Sequence, residues 1–94
     1  MLERLLEINR EAYVARQYEV AYHALMAALH LVDHEQDRGG LERIARSAAA
    51  QGATMQEASP LYRLYDTLKL HVDAVRLRLD GAAQIASRSG APAS

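Results

Sequence analysis

The sequence predicts an all-α fold of about four helices in a single bundle. Half of its 94 residues are hydrophobic, yet Phe and Trp are absent and only two residues are proline. Ala, Leu, Glu, Arg and Gln favour helix, and no useful stretch alternates between apolar and polar as a strand does. Helix breakers cluster at a few points, which cut the chain into segments of helical length.

The first segment, Leu2 to Asp37, contains neither Gly nor Pro. Its first apolar stripe on a helical wheel is Leu2, Leu5, Leu6, Ala12 and Tyr13. A later seam is Val14, Tyr18, Ala21, Leu25, Ala28 and Val32, and beside it run Val20, Ala24, Ala27 and Leu31. The polar side turns between the two halves. Glu3, Glu7, Arg10 and Glu11 face one way; Glu19, His23, His30 and His34 face another. Two readings follow: one continuous helix, or helices over 2–15 and 17–36 joined by a tight hairpin at Ala15-Arg16-Gln17. The rotation favours the hairpin, because a straight helix against one core keeps one polar face. Residues 20–32 are apolar nearly all round, so that helix is expected at the centre.

Gly39-Gly40 reads as the next boundary. A short helix is expected over 41–52, with small residues Ala45, Ala48, Ala49 and Gly52 along one side. Ser59-Pro60 has the N-cap and first-residue signature of a final helix. That helix is expected over 60–80, with Asp80-Gly81 as a stop and Ala82 to Ala86 as a continuation. Its seam is Leu61, Tyr65, Leu68, Val72, Val75 and Leu79. A charge ladder of Asp66, Lys69, Asp73, Arg76 and Asp80 reads as a solvated face. One helical domain is expected over 1–86, with a small, polar, flexible tail at 87–94. The expected core is Leu5, Leu6, Tyr18, Ala21, Leu25, Ala28, Leu29, Val32, Ile44, Ala48, Leu64, Leu68, Val72 and Val75.

Several function classes are disfavoured. Without cysteine there is no disulfide framework and no thiol chemistry. A net charge of −1 exerts no bulk pull on nucleic acid or anionic membrane. No apolar run reaches the roughly 18 residues of a membrane span, and Met1-Leu2-Glu3-Arg4 is unlike a signal peptide. A cytoplasmic protein without nucleic-acid or membrane partners is the expectation. No phosphate loop, zinc-protease motif or nucleophile elbow occurs, so neither enzyme activity nor a cofactor is expected.

Residues 16–31, RQYEVAYHALMAALHL, resemble the tetratricopeptide repeat. Tyr18 matches the aromatic after the hairpin turn, Ala21 the small residue, and Ala28-Leu29 the later pair. The likeness spans about residues 5–33 and implies a short helical stack that binds a peptide or itself. Pro60 falls where a second repeat would run its second helix. Around His23, the run His23-Ala24-Leu25-Met26-Ala27-Ala28 resembles the histidine phosphotransfer domain, which implies His23 as phosphoacceptor. Met26 stands where that family has Lys.

His30 and His34 have the i, i+4 spacing of paired metal ligands, with His71 as a candidate third. Arg38, Arg43 and Arg46 offer a small anion or acidic-partner patch. On the final helix, Leu70, Ala74 and Leu77 lie opposite the seam. The leading expectation is therefore a non-catalytic interaction or self-association module, a homodimer touching through Leu70, Ala74 and Leu77. A phosphotransfer-like signalling bundle and a metal-binding bundle are the alternatives.

Overall fold

A computed structural model describes the backbone of residues 1–55 and 59–90, and the side chains of 1–55 and 59–81. Four helices account for nearly all of it: α1 (Leu2–Val14), α2 (Tyr18–Glu35), α3 (Arg38–Gly52) and α4 (Pro60–Gly90). Among the described residues there is no strand.

The first segment is a hairpin. Arg16 adopts a left-handed φ of 61°. The Gln17 N–H reaches back to the Ala12 carbonyl at 2.8 Å and the Arg16 N–H to the Tyr13 carbonyl at 3.0 Å. This paired closure satisfies the last carbonyls of α1 and reverses the chain. The same device ends α2. Gln36 has φ 55°, and the Asp37 N–H bonds the Val32 carbonyl at 2.9 Å. Neither left-handed residue is glycine, so each carries the steric cost of its Cβ. Val14 belongs to α1 and is 75% exposed, because the seam drawn through it crosses the turn.

The boundary expected at Gly39-Gly40 falls earlier, at Gln36-Asp37. Both glycines lie in the first turn of α3, which begins at Arg38, ahead of the expected Leu41. Asp37 decides this by accepting the Gly40 N–H at 2.9 Å as an N-cap. Gly40 is buried, and a Cβ there would stand 2.8 Å from both a Leu2 and a Val32 methyl. Its lack of a side chain lets α3 dock on α1 and α2.

Ser59 caps α4, its hydroxyl accepting the Leu61 N–H at 3.2 Å, and Pro60 opens the helix. The helix passes the expected stop at Asp80-Gly81 and continues to Gly90. Residues 87–90, expected in the tail, are therefore helical, and 91–94 lie outside the described residues. At 31 residues, α4 is about 46 Å long and outruns its neighbours. The molecule measures 56 × 28 × 15 Å.

The core joins Leu25, Ala28, Leu29 and Val32 of α2 to Leu41, Ile44 and Ala48 of α3 and to Tyr65, Leu68, Val72, Val75 and Leu79 of α4, with Leu6 from α1. Helix α2 packs against all three others, as its apolar character predicts. One strip of it still faces outward, carrying Val20, His23, Ala27, His30 and His34. Leu5, Tyr18 and Leu64 are only half-buried, whereas Ala12, Ala24, Leu41, Tyr65 and Leu79 are buried.

Candidate functional site

The interior is not wholly apolar. Asn9 of α1 and Gln51 of α3 are 1% and 8% exposed. Their amides bond reciprocally, Asn9 Nδ2 donating to Gln51 Oε1 at 3.1 Å and Gln51 Nε2 to Asn9 Oδ1 at 2.6 Å. Asn9 Nδ2 also donates to the Ala21 carbonyl of α2 at 2.7 Å. From α4 the Tyr65 hydroxyl donates to Gln51 Oε1 at 2.7 Å. One cluster thus ties all four helices together. Among the described residues, no buried side-chain polar atom lacks a partner, which is the condition for such a network to stabilise. Burial pushes the Tyr65 hydroxyl pKa up to about 12.

Beside this cluster, α1 and α3 diverge around an open cleft of about 220 Å³. Asn9, Gln51 and Leu6 line it together with Arg10, Arg43, Arg46 and Ser47. Arg43 makes a two-pronged contact with Glu3 of α1, Nη2 donating to Oε2 at 2.9 Å and Nη1 to Oε1. The Arg43 hydrogen bond and charge hold the Glu3 carboxyl below its ordinary pKa. Arg10 and Arg46 are exposed and enter no ion pair among the described residues.

The expected arginine patch is thereby corrected. Arg43 and Arg46 share the cleft, but Arg38 leaves it to pair with Asp80 of α4. Arg10, from a different helix, takes its place. The charge ladder of α4 is solvated at Asp66, Lys69 and Asp73 as expected, and Arg76 and Asp80 also reach neighbouring helices. Arg76 bridges its own Asp73 at 3.1 Å and Glu42 of α3 at 3.0 Å, so the ladder stitches α4 to α3. Glu42 is occupied there instead of beside Arg43 and Arg46. Arg78 adds a bond to Asp33 of α2 at 2.7 Å. These pairs are exposed and individually weak, typically below about 1 kcal/mol.

His23, His30 and His34 all stand exposed on the outer strip of α2, and His71 is exposed on α4. Among the described residues, no three His, Asp or Glu side chains gather as a metal site. None of the described residues joins His30 and His34 as a third ligand.

Leu70, Ala74 and Leu77 share the outer side of α4, away from the core. Leu70 is 66% and Leu77 72% exposed, and Ala74 is exposed between them. No described helix is long and apolar enough to cross a membrane. In comparison with known proteins, the chain matches no family model, no curated protein and no solved structure.

Proposed function

We propose that this chain is a non-catalytic association module, working in the cytoplasm, that pairs with a second copy of itself through the outer side of α4. The carrying observation is the exposure of Leu70 and Leu77, two leucines seven residues apart on a helix whose other side is saturated by the core. With Ala74 and Gly81 they repeat at 4-3-4 spacing, the period of a coiled-coil seam. Asp66, Asp73 and Asp80 flank this line on one side, His71 and Arg78 on the other. Asp73, Asp80 and Arg78 already pair within the chain, so these flanks do not choose between a parallel and an antiparallel pair. Closed two-fold dimers are the commonest oligomers, and burying each leucine contributes about 1.5–3 kcal/mol.

The tetratricopeptide likeness enters this reading through one hairpin only. Its small positions, Ala21 and Ala28, are fully buried between α2 and its neighbours. A stack of hairpins is therefore a weaker route to association than the outer seam of α4.

Light scattering tests the proposal. Wild type is expected to be a dimer at micromolar concentration, and the Leu70→Glu/Leu77→Glu variant a folded monomer, since both side chains lie outside the core. A monomeric wild type, or a variant that remains dimeric, rejects it. His23→Gln is expected to leave the dimer intact, whereas a signalling function built on phosphoacceptor chemistry is lost with that change alone.

A further inference from the structure

The cleft between α1 and α3 differs in kind from the outer side of α4. It is concave, its floor is polar, and its walls bring guanidinium groups from two helices to one place. Arg38, Arg43, Arg76 and Arg78 each pair with a carboxylate of a neighbouring helix, Arg43 with Glu3 at the edge of the cleft. Among the described residues, Arg10 and Arg46 do not. The whole chain has a net charge of −1, yet three arginines line this cleft and no carboxylate does; the charges of Glu3 and Asp37 reach it through Arg43.

We propose that the cleft binds a phosphoryl dianion, gripped by Arg10, Arg43 and Arg46 with the Ser47 hydroxyl as a further donor. Planar guanidinium forks match the geometry of phosphate oxygens and favour bidentate contacts. Glu3 already places an oxyanion on Arg43 in this fashion, which shows that the fork is presented for one. The floor is preorganised: Asn9 and Gln51 fix each other, and Gln51 is held a second time by Tyr65. Geometry sets the preference for a phosphoryl group, because it offers an oxygen to each of the three guanidinium groups and a single carboxylate does not.

The test is a titration of the full chain at constant ionic strength, followed by backbone amide shifts. Inorganic phosphate and glycerol phosphate are the probes, and acetate is the carboxylate control. Saturable shifts confined to residues 6–10 and 43–51 are expected. Saturation by phosphate alone identifies free phosphate as the natural source, saturation by the ester an esterified one, and either supports the site. Arg10→Gln/Arg46→Gln is expected to weaken binding by roughly tenfold or more, from the loss of charge-assisted hydrogen bonds. Glu3→Gln is expected to tighten it by removing the competing carboxylate. Arg46→Lys keeps the charge without the fork and is expected to weaken binding less than the double change, a comparison that stands if the double variant fails to fold. Shifts that rise linearly without saturation overturn the proposal. So does an equal response to acetate, or a titration of Arg46→Lys and the double variant indistinguishable from wild type.

Discussion

Helix α3 meets α4 and α1 across two unlike walls. Towards α4 the contact is aliphatic, with Ile44 and Ala48 at 0% and 1% exposure joined to Leu68 and Val72 at 0% and 3%. Ion pairs lie only at its rim. Towards α1 the contact is an amide pair, an arginine fork and an open cleft. The first wall stabilises by area removed from water, and such burial is tolerant of sliding. The second adds little net energy per bond, about 0.5–1.5 kcal/mol, but it demands one alignment. Asn9 meets both Gln51 and Ala21 in a single register of α1 against α2 and α3. Stability thus resides mainly on one side of α3, and geometric specification on the other.

The largest expected effects lie in the aliphatic core that the α3–α4 wall shares with α2. Leu25→Ala and Leu68→Ala should each cost about 2–5 kcal/mol in thermal or denaturant unfolding, the usual cost of a core cavity. Melts matching wild type would show that these faces do not form the core. On the polar wall, Asn9→Ala is expected to cost about 3 kcal/mol, because the Gln51 amide and the Ala21 carbonyl lose their partner in a buried setting. A loss below about 1 kcal/mol would mean that water enters from the cleft and replaces the missing amide. The same network predicts a pH effect. Tyr65 holds its proton up to about 12 when folded, whereas an unfolded tyrosine ionises near 10. Its contribution is complete below pH 10 and is lost as pH rises towards 12, by at most about 3 kcal/mol, since each unit of difference is worth about 1.4. Denaturant midpoints that stay flat from pH 9.5 to 11.5 would contradict this, and Tyr65→Phe should flatten them.

The smallest expected effect separates two adjacent glycines. Gly39 has nothing nearer to a new Cβ than the Asp37 carboxylate at 3.7 Å and no positive φ. Gly39→Ala should therefore stabilise by about 0.5–1 kcal/mol. Gly40→Ala should destabilise by about 1–2 kcal/mol, because methyl groups of Leu2 and Val32 must move. Paired melts that fail to change in opposite directions would show that α3 docks less closely than described.

The sequence made the apolar half of this molecule legible and the polar half only in fragments. Periodicity reveals Leu25, Leu68 and Val72 because burial repeats with the helical turn. The rotation of the polar face near Ala15 reveals the hairpin for the same reason. Opposition to the seam reveals Leu70 and Leu77. Nothing local marks Asn9 or Gln51, since each is a polar residue whose partner lies 42 positions away. Gly39-Gly40 misleads because a cap outweighs propensity: Asp37 starts the helix that two glycines disfavour. The arginine cleft is half legible. Arg43 and Arg46 stand one turn apart on α3, but only the docking of α1 brings Arg10 and sends Arg38 elsewhere.

The closures at Arg16 and Gln36 also bear on the order in which the molecule assembles. Each leaves a turn of two or three residues between successive helices, so the α1–α2 and α2–α3 pairs are neighbours before any large loop is closed. The Asn9–Gln51 bonds are different, for they span 42 residues and their closing entropy must be met by contacts already in place. The docking of α4 on α2 closes loops as long, its Arg78–Asp33 bond spanning 45 residues, so both long closures are expected to follow the hairpin turns. Local search is thus expected to pair the first three helices rapidly, before the longer closures fix Asn9 against Gln51 and α4 against α2.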